Sequence, residues 1–301
     1  EITTRLVGSE MCIRDRQNVV EGFPCAAPIL EAFPFPHETS AMLDTDRFRA
    51  LCRPFAETLF EDVRRLSASP APRTGVTRLG YSDEEEAVVR HLEALGASLG
   101  LETERDAAQN LWMTLPGTDR TLPAIVSGSH ADSVLDGGNY DGLAGIASAL
   151  CTVLWLKENG VRLERDFRVL VIRCEEQGLV GTTAILGKLK PEDLERRFTA
   201  DGPALSERLA RRGIDPAPFT AGKPLFDAGR IAAFLEVHIE QSLKLDASPD
   251  RRVGLVTGIR GLRVHRRIRC KGQTAHAGAV DFPFRHDAAA ASARFVALMY
   301  D

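Results

Sequence analysis

The chain has 301 residues, 44% of them hydrophobic and 27% charged, a composition expected of a soluble globular protein with room for one large domain or two smaller ones. With 38 basic against 42 acidic residues and a pI near 6.0, no summed field gathers nucleic acid or an anionic membrane surface, so the expected partner is a small-molecule substrate. The six scattered cysteines contain no C-x-x-C pair and read as free thiols in a reducing compartment. The most apolar run, Ile146 to Leu156, falls well short of the ~20 residues of a membrane span, and no basic-then-apolar leader is evident, so cytoplasmic residence is expected.

In chain order, residues 1 to about 40 mix Arg-rich and Pro-rich pieces without persistent periodicity and are expected to be non-native or disordered. Thr4 to Arg16 resembles translated adapter sequence. Residues 41–250 then carry the pattern of a catalytic domain. A helix is expected from Leu43 to about Leu66, and Ser82-Asp-Glu-Glu85 has the spacing of a capping box opening a second helix to about Leu99. Leu101 to Leu115 reads as hairpin-like. Leu122 to Ser127 is a buried strand, Gly142 to Asn159 a helix and Phe167 to Arg173 another buried strand, which argues a parallel α/β sheet. A polar helical stretch, Leu194 to Arg212, precedes a strand from Phe234 to Ile239. From about Val253, Gly-flanked strands and an Ala-rich helix, Ala288 to Met299, begin a second, smaller domain over 251–301, and the stop in mid-helix at Asp301 is that of a truncated chain.

The chemistry gathers at three places. Directly after a buried strand comes Gly128-Ser-His130-Ala-Asp132, followed by Asp136, Asp141 and Gly142, where open α/β sheets put their ligand sites. A lone His or an Asp-Gly pair is usually structural, but one His and three Asp within a dozen residues of Gly-rich backbone outweigh that alternative. Divalent ions want imidazole nitrogen and carboxylate oxygen, so His130 and Asp141 are expected as ligands, with Asp141 bridging two ions. Asp132 is placed to accept the second ring N–H of His130, and its structural alternative is a loop cap. At the end of the next strand Glu175 and Glu176 can divide their roles, one holding metal and the other acting as general base. On the last strand, alternation puts Glu236, His238 and Glu240 on one face and buries Val237 and Ile239 on the other.

At these residues the sequence resembles the hydantoinase/carbamoylase branch of the M20 metallopeptidase-like superfamily, which includes N-carbamoyl-L-amino-acid hydrolases, allantoate amidohydrolases and β-ureidopropionases. The resemblance rests on Gly75-Val-Thr-Arg-Leu79, Asp106-Ala-Ala-Gln-Asn110, the Gly128 to Gly142 block, Arg173-Cys-Glu-Glu176, His238-Ile-Glu-Gln241, Gly258-Ile-Arg-Gly261, His276-Ala-Gly278 and Arg285-His-Asp-Ala288. It implies a mostly parallel-sheet α/β hydrolase domain with an inserted ferredoxin-like α+β lid that also dimerises, here incomplete. It also implies His130, Asp141, Glu176 and His238 as ligands of two divalent ions (zinc or manganese, with cobalt or nickel possible). Glu175 would be the general base and Asp132 its catalytic neighbour. Gln241 and His276 would contact substrate, His276 from the partner of a homodimer. The implied reaction is hydrolysis of a linear carbamoyl or ureido C–N bond.

Three departures stand out: Gln177-Gly-Leu-Val-Gly181 replaces a Phe-Gly stretch and a Gly-Ser-Arg block, Ser242 replaces Gly, and Phe282-Pro-Phe284 stands near a Thr-Pro-Met. The resemblance further places the final ligand His, the substrate-gripping Asn and Arg and the returning strands beyond Asp301. Rival readings are an M20-type dipeptidase or N-acyl-amino-acid deacylase, and a metal-binding fragment without turnover.

Overall fold

The computed structural model describes residues 44–199, 201–250, 253–256 and 268–299. They divide into two compact units, one ending at Leu243 and the other beginning at Lys244.

In the first unit, α1 (Thr45–Ser67) starts at Asp44, whose carboxylate accepts the N–H groups of Asp46 and Arg47. This satisfies donors that have no partner within the helix. Helix α2 (Asp83–Ser98) is capped by Ser82, which accepts from Glu85 N. Glu85 reaches back one residue further than a capping box requires, to the N–H of Tyr81. The hairpin is β1 (Glu102–Arg105) and β2 (Leu111–Leu115); β3 (Ala124–His130), α3 (Leu143–Glu158) and β4 (Phe167–Ile172) follow. Three short helices, α4 (Val180–Ile185), α5 (Leu205–Arg211) and α6 (Ala217–Thr220), lead to β5 (Ile231–Leu235).

The sheet order is β1-β2-β4-β3-β5. β4, β3 and β5 run parallel, and the β1–β2 hairpin is attached antiparallel to β4. Alternation splits the sheet residues between two cores. Leu111, Met113, Val169 and Val171 pack with Leu59, Val63, Val88, Leu92, Ile146 and Leu150 of α1, α2 and α3. Trp112, Val126, Leu170 and Ile172 face the other way, toward Phe226 and Ile231. Burial on both faces explains why Val169 to Ile172 of β4 is a continuous apolar run rather than an alternating one.

Parallel pairing fixes where the strands end. His130 lies opposite Ile172, and Ser127 opposite Leu235, so the chain leaves β3, β4 and β5 at one edge of the sheet, the edge where open α/β folds bind ligands.

Two expectations are corrected. Leu194 to Arg212 is not one helix: a 3-10 turn, Pro191–Glu195, and α5 are separated by an isolated bridge between Arg197 and Ala204. Gly202-Pro203 interrupts it, because proline forces its predecessor out of the helical region. The last strand also stops early. Residues 236–240 lie beyond the ladder, and Val237, expected to be buried, is 52% exposed.

In the second unit the Ala-rich segment forms α7 (Ala288–Leu298), capped by Asp287. No strand forms over 253–256 or 268–272. The block Gly258 to Gly261 and the segment 1–40 lie outside the described residues. No described helix is long and apolar enough to cross a membrane, and the described cysteines Cys52, Cys151, Cys174 and Cys270 are all free.

Candidate metal centre

The described residues contain one group of side chains with metal-ligand spacing: His130, Asp141 and His238 offer atoms that all lie within 4.8 Å of one another. Asp141 Oδ1 sits 3.6 Å from His130 Nε2 and 3.2 Å from His238 Nε2. The two imidazoles are 5.9 Å apart between centroids. Asp141 Oδ1 is buried and has no hydrogen-bond partner, a costly arrangement for a carboxylate oxygen unless a cation takes its lone pairs. Two imidazole nitrogens and a carboxylate oxygen form the donor set that zinc and its first-row neighbours accept. These residues fit a divalent ion.

Two glycines permit this approach. Gly142 has φ +67, and a Cβ there would lie 2.6 Å from the His130 ring. Gly145, in the first turn of α3, would carry a Cβ 2.5 Å from Val237 O and 2.7 Å from Ser129 Cβ. The chain after β5 therefore drops onto the bare backbone of α3, which explains both the exposed Val237 and the arrival of His238 at Asp141. Gly145→Ala is expected to push this segment away, with a stability loss of about 1–3 kcal/mol and a weaker hold on divalent ions, measurable by unfolding with and without added metal.

Asp132 is fully buried, and its two oxygens accept the N–H groups of Glu175 (2.8 Å) and Glu176 (3.0 Å). The loop after β3 is thereby pinned to the end of β4. His130 Nδ1 lies 3.2 Å from the Asp132 carbonyl oxygen and 3.5 Å from its Oδ1, so the expected ring contact is shared with the backbone. Glu175 and Glu176 are half-buried, and burial pushes both carboxyls above the usual range, with His130 opposing the shift. Glu176 stands beside the cluster but outside the group of three. Burial works to lower the His130 pKa, but the contact with Asp132 and the charges of Glu175 and Glu176 raise it to about 9. Such a site is short of positive charge. Gln241 donates from Nε2 to Asp141 Oδ2 at 2.9 Å, so one face of the carboxamide is engaged by the central carboxylate. His276 belongs to the second unit, where its Nδ1 accepts the N–H of Gly278 at 3.1 Å.

The supporting residues carry no motif of their own kind. Arg78 is fully buried and donates to Ala131 O (2.6 Å), Asn139 Oδ1 (3.2 Å) and Asn139 O (3.1 Å), spanning the loop between His130 and Asp141. Glu85 accepts from Cys174 N (3.0 Å) and from Arg173 Nη2 (2.6 Å), anchoring the backbone just before Glu175. Gln177 ties that turn to Ser133 O (3.0 Å) and Gly80 N (2.7 Å). The only signal for Arg78 was its place in the Gly75 to Leu79 block.

A family model described as Peptidase family M28 matches residues 110–199, from β2 through both Glu175 and Glu176. The N-carbamoyl-L-amino-acid amidohydrolase of Paenarthrobacter aurescens is 35% identical over 246 residues, covering 80% of this chain and 59% of that protein. The allantoate amidohydrolase of Escherichia coli strain K12 is 32% identical over 247 residues, covering 80% and 58%. Among solved structures, an amidase of the hydantoinase/carbamoylase family from Burkholderia phymatum superposes with a TM-score of 0.60 at 26% identity, over 81% of this chain and 58% of that one. The chain thus spans about three-fifths of the length of the relatives it matches.

Proposed function

From its likeness to N-carbamoyl-L-amino-acid and allantoate amidohydrolases and to an amidase of the hydantoinase/carbamoylase family, we propose that the chain belongs to that family and that the whole protein hydrolyses a linear carbamoyl or ureido C–N bond, as in N-carbamoyl amino acids, allantoate or ureidopropionate. The observation that carries this reading is the meeting of His130, Asp141 and His238 at one sheet edge, beside the Glu175-Glu176 pair that Asp132 pins there. His130, Asp141, His238 and Glu176 would hold two divalent ions, zinc or manganese, with cobalt or nickel acceptable to the same donors. Bound there, the ions would acidify water and polarise the scissile carbonyl.

Glu175 would take a proton from the attacking water and return it to the leaving nitrogen. A carboxyl raised by burial is better matched to that exchange than an ordinary one. Asp132 would hold His130 and the Glu175 backbone in register. In a neutral His276 ring the contact from Gly278 leaves the proton on Nε2, a donor suited to the carbonyl oxygen that gains charge. Its delivery from a partner subunit, dimerisation through residues 251–301 and cytoplasmic residence belong to the same proposal. Gln241 would steady Asp141 while meeting substrate. The match to a peptidase model favours a second reading, a dipeptidase or N-acyl-amino-acid deacylase.

The test is ammonia release from N-carbamoyl amino acids and allantoate by the whole protein, with dipeptides and N-acyl amino acids alongside and metal content measured. Glu175→Gln is expected to keep its metal and lose about a hundredfold or more in kcat. Full turnover by that variant would remove Glu175 from its role, and activity on dipeptides alone would replace the amidohydrolase reading with the second one.

A further inference from the structure

On the first unit, a cleft of about 660 Å³ is lined by residues of α2, β1 and the C-terminal end of α5, none of them a member of the metal centre. Four arginines, Arg90, Arg105, Arg211 and Arg212, face two glutamates, Glu86 and Glu93. The glutamates are already committed. Arg105 takes both, with Nη1 on Glu86 (3.0 Å) and Nη2 on Glu93 (2.6 Å). The other oxygen of Glu86 accepts from the buried Arg173 at 2.8 Å.

The remaining guanidinium groups keep donors to spare. Arg90 uses only Nε, on Glu86 at 2.9 Å. Arg212 uses Nε on Tyr81 O and Nη2 on Asp83, outside the cleft lining. Arg211 makes no ion pair among the described residues. The lining thus carries four guanidinium groups against two carboxylates, from α2 and β1 on one side and the end of α5 on the other, and Arg90, Arg211 and Arg212 keep N–H groups that take no partner among the described residues. Guanidinium forks match phosphoryl oxygens, and a phosphoryl dianion brings a third oxygen and a further negative charge that a monocarboxylate lacks.

We propose that this cleft binds a phosphoryl group, held by Arg90, Arg211 and Arg212. Its volume lies within the range of small-molecule pockets and exceeds what one phosphate fills, and Ile214 supplies the one apolar wall. The ligand is therefore a phosphate monoester with a small, mostly polar remainder, and inorganic phosphate is the lesser form of the same chemistry. This site does not depend on the amidohydrolase reading.

Calorimetric titration in chloride buffer, with glycerol phosphate and separately with inorganic phosphate, tests it. Saturable one-to-one binding is expected, tighter for the ester and about tenfold or more weaker in the double variant R90A/R211A, whose unfolding midpoint should match the parent's. Equal affinity for inorganic phosphate would keep the site and name the free anion as its ligand. Binding that persists unchanged in the double variant lies elsewhere, for example at the metal centre, and overturns the proposal. So does the absence of saturable heat up to about 10 mM of either ligand.

Discussion

Arg78→Ala is expected to destabilise the protein by about 3–5 kcal/mol and to weaken its hold on divalent ions in the same step. The side chain is fully buried and touches Ala131 O, both oxygens of the Asn139 residue and, at 3.4 Å, Asp141 O. Burial lowers its pKa to about 10, against the pull of Asp132, Asp141, Glu85 and Glu176. Truncation leaves buried carbonyls without a donor and a carboxylate cluster without its counter-charge, and each deficit is costly by itself. Because the contacts bracket the residues between His130 and Asp141, the loss reaches both side chains through the loop that aims them. Arg78→Lys separates charge from geometry: an ammonium restores the charge, but it cannot serve four acceptors laid out for a planar fork. Lysine should recover well under half of the stability and little of the metal affinity. The measurements are urea unfolding and competition for zinc against a chelator. A Lys variant equal to the parent in both would show that charge alone matters there.

The side chains that meet at the sheet edge were legible in the sequence, but most of the residues that hold them in place were not. His130, Asp132 and Asp141 stood out because a Gly-rich acidic segment directly follows an apolar run; α3 and β4 came where hydrophobic patterning put them, while β3 runs from Ala124 to His130 instead of ending at Ser127, so that His130 closes the strand. Glu85, Glu86 and Arg173 are a different case. Charged residues ordinarily read as a solvated face, yet Arg173 and Glu85 are fully buried and pair across 88 positions of sequence, a contact that no local pattern encodes. Glu85 was visible only as a capping residue, and it caps one residue further back while also holding Arg173 and the Cys174 N–H. The segment after β5 departs from the expected alternation for a related reason. Alternation predicts its faces only while it remains in the ladder, and it leaves the ladder after Leu235 to cross α3 at Gly145. The helix expected over Leu194 to Arg212 fails on local grounds, since Gly202-Pro203 breaks a stretch of otherwise helical composition.

The charge imbalance around His130 leads to the second large effect, a reversal in how stability depends on pH. In the metal-free protein, burial works to lower the His130 pKa, but Asp132, Glu175 and Glu176 raise it to about 9, from about 6.5 in an unfolded chain. A folded value above the unfolded one means stability that is fully present below pH 6.5 and lost as pH rises through 9. That interval is worth roughly 3 kcal/mol. Glu175 and Glu176, raised by burial, act with the same sign from the lower edge of the carboxylate range upward. Their shifts are tied to the His130 charge, so the three contributions do not simply add. Unfolding in chelator between pH 6 and 9.5 should therefore show stability falling by about 3 kcal/mol, and His130→Gln should flatten most of the decline. With a divalent ion present the sign inverts, because a ligating imidazole must be neutral and binding releases its proton, so metal-linked stability grows with pH across the same interval. Opposite slopes with and without metal would tie the missing positive charge to His130 and its carboxylates. Parallel slopes would mean that the cluster does not hold a cation through this histidine.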